Sequence, residues 1–288
     1  MSDLVTIIIP FYNGNIFELK RAIQSVMNQT YKELEVIVCD DGSADYYAVQ
    51  LEQLKSDNVK IVHNSRRQGI ACARNLAASF AKGKWLVWLD SDDTLDSLCI
   101  ERMIANSSKH ALVVGQCLVH EANSVEMREP GLYFDLYKKY QNTYFDPFVS
   151  NVVSVQPQMI LKSVFDNVGG FDETFLYAEM TDFFLRCLLV IHSDEICFIS
   201  DAIYNYYRLR NNSMSSNRKA LFKYRLLALK RYAQYKELPI DNIIYLGRSE
   251  NTKMQTYLCV KDNKILWPNY ISIINNRIIL LSDKNNLI

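Results

Sequence analysis

The sequence predicts an α/β protein with a mostly parallel central sheet covered by helices on both faces. The first hundred of its 288 residues alternate short apolar segments with helical segments, and this alternation is typical of parallel sheets. The apolar segments are continuously apolar, as expected of strands that are buried on both faces. Each of them also ends in polar residues, and open α/β sheets bind ligands at the carboxyl ends of their strands.

The elements of this first part follow one another in a regular order. Strands are predicted at Val5–Pro10, Glu35–Cys39, Val59–His63 and Trp85–Leu89. Between them, apolar or small residues recur at helical spacing. These helical segments span residues 16–28, 45–56 and 69–81. Polar residues follow the strands at Tyr12-Asn13, Asp40-Asp41, Asn64 and Asp90–Asp93. We therefore expect one ligand-binding crevice at this edge of the sheet.

The pattern changes from about residue 111 onward. Residues 121–150 are aromatic, polar and irregular, and we expect a loop with short helices there. Helices are predicted at Lys162–Val168, closed by Gly169-Gly170, and at residues 179–190. Extended segments are predicted at Ala111–Val119, Val152–Leu161, Ile196–Ser200 and Ala202–Tyr207.

A basic helix is predicted at residues 216–237, where seven lysines and arginines precede the first acid, Glu237. Two interpretations stay open: the helix packs on its own domain with a solvated basic face, or it contacts anionic lipid headgroups. We predict a domain of residues 1–215 in two halves, about 1–110 and about 111–215. A helical or irregular extension would follow at 216–288.

Composition narrows the partners and the compartment. Lysine and arginine number 32, as do aspartate and glutamate, so we expect no nucleic-acid partner. No segment approaches the roughly 18 apolar residues that span a bilayer. The apolar start lacks a basic leader and is interpreted as a strand, not a signal peptide. Seven scattered cysteines fit reduced core thiols. We expect a cytoplasmic protein that can also act at the inner face of the membrane.

Three carboxylates follow the fourth strand within four positions, at Asp90, Asp92 and Asp93. Clustered carboxylates repel one another unless a cation neutralises them. Mn²⁺ and Mg²⁺ take oxygen ligands and often bridge a protein carboxylate to substrate phosphates. Taken alone, the pattern also fits solvated turn residues or a cap of the helix starting near residue 97.

Several segments together resemble the inverting glycosyltransferases of family 2, which have the GT-A fold. The matching segments are VTIIIPFYNG (5–14), AIQSVMNQTYKELEVIVCDDGSAD (22–45), RRQGIACARNLAASFAKGKWLVWLDSDD (66–93), GGFDE (169–173), AEMTDFFLR (178–186) and YRLRNNSMS (207–215). The resemblance extends over roughly residues 3–216. It implies that residues of about 1–110 form a nucleotide-binding half and residues of about 111–215 an acceptor half. It implies transfer of a sugar from a nucleotide sugar, expected to be UDP-linked, to an acceptor hydroxyl.

The resemblance also implies roles for residues in the matching segments. Residues expected to contact the base, the ribose or the diphosphate are Pro10, Tyr12, Asp40, Asp41, Arg74, Asp90 and Ser91. Asp92 and Asp93 are expected to bind a divalent cation, Mn²⁺ or Mg²⁺, within the Asp-x-Asp motif. That cation would stabilise the leaving nucleoside diphosphate.

The sequence departs from the family pattern at two positions. Met180 stands where the family usually has its catalytic aspartate, and a thioether cannot accept a proton from a hydroxyl. Either Asp182 or Glu179 is therefore predicted as the base, although Asp182 also fits an acid near a helix N-terminus. Arg210 replaces a histidine of the family's motif, and we expect it to pair with the diphosphate.

The expected enzyme is a hexosyl- or N-acetylhexosaminyltransferase of surface polysaccharide or glycoconjugate synthesis. Its acceptor would be a saccharide or a lipid-linked saccharide, and peripheral membrane contact is expected of the basic helix. Met180 and Arg210 also allow a non-catalytic subunit that binds a nucleotide sugar and needs a partner chain. A nucleotidyltransferase is a third alternative, but no Gly-rich triphosphate loop follows the first strand. No oligomeric state is predicted.

Overall fold

The computed structural model describes residues 2–128, 156–208 and 217–235, and the backbone of four strands between residues 243 and 281. The helices are α1 (Ile16–Met27), α2 (Tyr46–Glu52), α3 (Ile70–Ser79), α4 (Cys99–Ala105), α5 (Lys162–Asn167), α6 (Glu179–Cys187) and α7 (Arg218–Tyr235). The strands are β1 (Val5–Phe11), β2 (Leu34–Asp40), β3 (Val59–His63), β4 (Trp85–Trp88), β5 (Thr94–Leu95), β6 (Leu112–Glu121), β7 (Ser124–Arg128), β8 (Gln158–Leu161), β9 (Ile196–Tyr207), β10 (Ile243–Arg248), β11 (Gln255–Lys261), β12 (Lys264–Ile274) and β13 (Arg277–Leu281).

A central sheet runs in the order β3-β2-β1-β4-β8-β6-β9-β5, and β7 pairs with β6. Strands β1 to β4 are parallel to one another, as predicted. The other part of the sheet is mixed, because β8 runs antiparallel to both β4 and β6 while β6 and β9 are parallel. The α/β class is therefore confirmed, with a parallel half and a mixed half.

Helices bury both faces of the parallel half. Alternate residues of one strand point to opposite faces, and in β1 the buried Ile8 belongs to one core cluster whereas Ile7 and Ile9 belong to another. Residues of α3 and α6 complete the first cluster, and residues of α1 and α4 complete the second. This two-sided burial explains why the strands are continuously apolar.

The strand register brings the predicted site residues to one edge. Phe11 at the end of β1 pairs with Asp40 at the end of β2, and Asp40 in turn pairs with His63. On the other side of β1, Ile8 pairs with Trp88 of β4. The segment of residues 90–93 therefore leaves the sheet at the edge where the side chains after β1 and β2 lie.

Helix α7 packs on α6 and the adjoining loop. Ala228 and Tyr232 are buried in the first core cluster, and the ring of Tyr224 lies 5.7 Å from that of Phe175. Arg231 forms an ion pair of 2.5 Å with Asp172. The predicted basic helix is thus confirmed, and its buried face supports packing on its own domain. None of the helices in the described part of the chain is both long and apolar enough to cross a membrane.

The structure differs from the sequence prediction in three segments. The predicted extension contains a four-stranded antiparallel sheet, β10-β11-β12-β13, which was not predicted. The predicted loop at 121–150 begins with a strand, because β7 forms a hairpin with β6; residues 129–155 lie outside the described residues. The two predicted strands after residue 195 are one strand, β9.

Candidate active site

Asp41 organises the loop between β3 and α3. One carboxylate oxygen accepts hydrogen bonds from the Asn64 side-chain amide (2.8 Å) and the Gln68 backbone N–H (2.9 Å). The other accepts from the Gly69 backbone N–H (2.8 Å). Gly69 has a φ of 104°, which a residue with a side chain rarely adopts. Asp41 thus fixes the start of α3 at the edge where a nucleotide base is predicted to bind.

The other residues predicted to bind the nucleoside surround Asp41. Asp40 accepts a hydrogen bond from the Ser43 backbone N–H (3.0 Å), and its second oxygen lies 3.1 Å from Nδ1 of His63. Pro10 is buried in β1, so its side chain is part of the strand and is not open to solvent. Tyr12 is exposed, and the Arg67 guanidinium lies 4.5 Å from its ring centroid. The Tyr12 ring is therefore the accessible flat surface of this group.

Arg74 links three elements through two carboxylates. The residue is only 2% exposed, and its guanidinium contacts Asp90 Oδ1 at 2.9 Å and Glu179 Oε1 at 2.5 Å. Burial acts to lower the pKa of Arg74, but the charges of Asp90 and Glu179 outweigh it and raise that pKa. The guanidinium thus stays ionised and joins α3, the segment after β4 and the start of α6.

Asp90 and Asp92 form the part of the Asp-x-Asp motif that is open to solvent. The Asp90 side chain is 41% exposed, and Ser91 and Asp92 are half-buried. Burial raises the pKa of Asp92, and the nearby charge of Asp90 raises it further. The described residues include no cluster of three or more His, Cys, Asp or Glu that could hold a metal ion. Two carboxylates still fit Mn²⁺ or Mg²⁺, provided that water and phosphate supply the remaining ligands.

Asp93 does not share this position, although it was predicted as a metal ligand. It is 1% exposed, and its two oxygens accept from the Tyr204 hydroxyl (2.6 Å) and the Tyr207 backbone N–H (2.9 Å). Burial raises the pKa of Asp93 to about 8. Because both oxygens are engaged with β9, the geometry assigns Asp93 to holding the segment after β4 against the sheet.

The two predicted bases lie one turn apart on α6 and have different neighbours. Glu179 contacts Arg74 and through it Asp90. Asp182 is 2% exposed and accepts a hydrogen bond of 2.8 Å from Arg186 Nε. Its other oxygen lies 3.7 Å from Arg231 of α7. Glu179 therefore belongs to the cluster of Arg74 and Asp90, whereas Asp182 ties α6 to α7. Which of the two acids is the base stays a prediction.

A cavity of about 660 Å³ lies beside Asp182, between α6 and α7. Its lining contains two acids and two arginines together with apolar and aromatic side chains. The lining residues are Asp172, Asp182, Leu185, Arg186, Leu189, Ala228, Arg231 and Tyr232. Burial raises the pKa of Asp182, while the neighbouring Arg186 opposes this shift. Asp182 therefore belongs to an ion-pair network with Arg186 and Arg231. This network shares no residue with the ion pairs of Arg74.

Two further predicted positions complete the comparison. Met180 is buried, and its sulfur lies 4.0 Å from the side-chain amide nitrogen of Gln156, so no proton acceptor stands at that position. Arg210 lies outside the described residues.

Sequence reasoning missed the contribution of β9, whose Tyr204 and Tyr207 both bind Asp93. The aromatic sequence YNYY at residues 204–207 was the available signal.

Comparison with known proteins places this chain in a family. Residues 6–169 match the model of glycosyl transferase family 2. The chain belongs to this family, and it is a glycosyltransferase. It is 28% identical over 246 residues to an Escherichia coli enzyme named UDP-Glc:alpha-D-GlcNAc-diphosphoundecaprenol beta-1,3-glucosyltransferase WfgD, over 84% of this chain and 90% of that protein. WfaP of E. coli, which has the same activity in its name, is 38% identical over 91 residues, or 32% of this chain and 36% of WfaP.

Solved structures show the same fold. The Staphylococcus aureus TarS fragment 1–349, solved in complex with UDP-GlcNAc, superposes with a TM-score of 0.64 at 19% identity. The match covers 83% of this chain and 70% of that fragment. The GT-A fold expected from the resemblance is therefore confirmed.

Proposed function

We propose that this enzyme transfers a sugar from a UDP-linked donor to a hydroxyl of an undecaprenol-linked saccharide, with inversion at the anomeric carbon. The cluster of Asp90, Arg74 and Glu179 at the carboxyl edge of the sheet carries the proposal. Two names support the choice of substrates: WfgD is named for UDP-Glc and a diphosphoundecaprenol acceptor, and the TarS fragment was solved with UDP-GlcNAc.

The donor would lie along the carboxyl ends of β1, β2 and β4. Its uracil would meet the exposed ring of Tyr12 and the loop that Asp41 holds. Its diphosphate would reach Asp90 and Asp92, where Mn²⁺ or Mg²⁺, when bound, would offset the charge of the leaving nucleoside diphosphate. Arg210 remains a proposed second partner of the diphosphate.

Glu179 is the proposed general base. Its carboxylate is held at 2.5 Å from the guanidinium of Arg74, and that contact fixes its position at the edge of the sheet. Glu179 accepts the proton of the acceptor hydroxyl while that oxygen forms a bond to the anomeric carbon. The bond from this carbon to the diphosphate breaks on the opposite face, so the configuration is inverted and the electron pair leaves with UDP.

A lipid-linked acceptor requires the enzyme to work at a membrane surface. The face of α7 that is turned from the core carries the exposed Lys223 and the exposed Leu227. A basic helix with exposed apolar side chains suits anionic headgroups. We therefore propose that the protein is cytoplasmic and contacts the inner face of the membrane through α7.

A donor and acceptor assay tests the proposal. The purified protein would receive UDP-glucose, UDP-galactose, UDP-GlcNAc or UDP-GalNAc with undecaprenyl-diphosphate-GlcNAc, in Mn²⁺ and again in EDTA. We expect release of UDP with one preferred donor and a product one sugar heavier by mass spectrometry. Binding of UDP without any product from this acceptor would contradict the proposed acceptor but leave the donor site standing. Failure to bind UDP or any UDP-sugar would contradict the donor assignment.

A further inference from the structure

Arg21 of α1 contacts the segment that carries Asp92. Its guanidinium donates a hydrogen bond of 2.5 Å to the backbone carbonyl of Asp92. The same guanidinium lies 4.2 Å from the ring centroid of Tyr207, the last residue of β9. One side chain therefore joins α1, the Asp-x-Asp motif and the end of β9.

Tyr207 is itself fixed by three further contacts. Its backbone N–H donates to Asp93 Oδ1 at 2.9 Å, and its hydroxyl lies 3.5 Å from the hydroxyl of Thr94. Its ring stacks on His120 with centroids 4.7 Å apart and an interplanar angle of 17°. Arg21 thus stacks on a ring that the sheet holds in place, so the Arg21 contact can fix the position of the Asp92 backbone.

The contact with Arg21 also brings a positive charge next to the two carboxylates of the motif. Asp90 and Asp92 place two like charges within one short segment, and like charges repel. A guanidinium on the backbone side of Asp92 offsets this repulsion and restrains the peptide from which the carboxylate projects. Arginine suits both contacts because its planar group can donate a hydrogen bond and stack at the same time, which lysine does less well.

We propose that Arg21 is a positioning residue that sets the affinity of the Asp90–Asp92 pair for the divalent cation. The inference rests on the proposed function, which places a cation and a diphosphate at these two carboxylates. Arg21 would touch neither of them. It would act through the Asp92 backbone and the Tyr207 ring, much as the outer hydrogen-bond partners of metal ligands do in other proteins.

The test compares Arg21→Gln with Lys20→Gln, a neighbouring exposed cation on the same helix. Mn²⁺ affinity would be measured by electron paramagnetic resonance of the full chain with saturating UDP, and UDP affinity in EDTA by calorimetry. We expect Arg21→Gln to weaken Mn²⁺ binding by about tenfold or more. UDP affinity in EDTA should stay within about twofold of the unchanged protein. Lys20→Gln should match the unchanged protein in both, which controls for the lost charge.

Two more variants separate charge from placement. Arg21→Lys keeps the charge, so a full return of Mn²⁺ affinity would show that charge alone matters and would overturn the positioning role. Tyr207→Leu removes the stacked ring. If Arg21 acts with that ring, the double variant Arg21→Gln/Tyr207→Leu should bind Mn²⁺ no more weakly than the weaker single variant, because effects of coupled residues do not add.

The outcomes distinguish this inference from the proposed function. Mn²⁺ binding by Arg21→Gln equal to that of the unchanged protein would overturn the inference and leave the cation site in place. An equal loss of Mn²⁺ affinity, metal-free UDP affinity and thermal stability would show a general structural role and also overturn it. If the unchanged protein binds neither UDP nor Mn²⁺, the proposed function fails, and the inference fails with it.

Discussion

Two acids in the first turn of α6 pair with arginines but have different surroundings. At its start, Glu179 pairs with Arg74, which also holds the partly exposed Asp90. One turn later, Asp182 pairs with Arg186 and lies near Arg231 of α7. Both acids are buried and both have arginine partners. Only the first network reaches an exposed carboxylate at the ligand-binding edge of the sheet.

This difference shows that the role of an acid–arginine pair depends on the other groups that its residues contact. The Glu179 network ends at solvent and at the motif predicted to bind the diphosphate, so its charges can respond to substrate. The Asp182 network ends at the α6–α7 contact, where its charges satisfy one another. We therefore expect the first network to control turnover and the second to control stability.

The largest effect is expected for Glu179→Gln. The amide keeps the shape of the side chain but cannot accept the acceptor proton, and loss of a general base lowers kcat by about 10²–10⁴-fold. Donor binding should persist, because the amide oxygen can still accept a hydrogen bond from Arg74. Initial rates of UDP release at saturating donor and acceptor measure the change.

Asp182→Asn is the matched control, since it makes the same chemical change one turn away on the same helix. Its kcat should stay within about threefold of the unchanged enzyme if it acts only on stability. A loss of turnover in Asp182→Asn comparable with that in Glu179→Gln would remove the distinction between the two networks and reinstate Asp182 as a base.

Arg74→Gln is expected to cause the largest loss of stability. Arg74 is buried with two carboxylate partners, and removing one member of a buried ion pair costs about 3–5 kcal/mol. The lower end of that range applies, because Asp90 can turn toward water. Urea denaturation in EDTA measures the free energy of unfolding. A change of less than about 1 kcal/mol in the free energy of unfolding would mean that the ion pairs of Arg74 contribute little to the fold.

The sequence predicted the parallel half of the fold because each strand there is a continuous apolar segment that ends at polar residues. Residues 5–10 and 85–89, for example, lie within or close to β1 and β4. The strands β10 to β13 were missed because their apolar residues are interrupted by Asn and Lys, and no helical or alternating period was clear. That second sheet forms by antiparallel pairing of consecutive strands, in the order β10-β11-β12-β13.

The composition of the site was more predictable than its connections. The segment 90–93 and the segment 179–182 could both be found from the sequence. The ion pair between Arg74 and Glu179, which are 105 residues apart, could not, because no local spacing encodes it. The same limit applies to Asp93: it has the same charge as Asp92 and stands beside it, yet its contacts with β9 give it a different role.

Asp182→Asn should lower stability while leaving turnover intact. The asparagine loses the charge-assisted hydrogen bond from Arg186, and such bonds contribute about 1.5–3 kcal/mol. The raised pKa of Asp182, caused mainly by burial, moderates this loss, because burial already disfavours the charged form. We expect a decrease of about 2 kcal/mol in the free energy of unfolding at pH 7, measured in urea. An unchanged midpoint would show that the α6–α7 network does not support the fold.

Asp93 offers a test through pH rather than through the loss of a contact. Its folded pKa of about 8 lies above the ordinary value of 3.8, so the folded protein binds this proton more tightly than the unfolded chain. The contribution to stability is therefore full below pH 3.8 and is lost as pH rises toward about 8. Asp93→Asn, which mimics the protonated carboxyl, should lose stability more slowly over this range than the unchanged protein in EDTA. Parallel pH profiles would show that Asp93 is ionised in the fold.

The smallest effect is expected for Arg231→Gln, which tests the outer edge of the Asp182 network. Arg231 pairs with Asp172 at 2.5 Å, but its side chain is 40% exposed, and exposed ion pairs contribute roughly 1 kcal/mol or less. Asp182 keeps its bond from Arg186 in this variant. The free energy of unfolding should fall by less than it does in Asp182→Asn, and the deficit should shrink in 1 M salt, where screening is strong. A loss larger than that of Asp182→Asn would place the main support of the α6–α7 contact at Arg231.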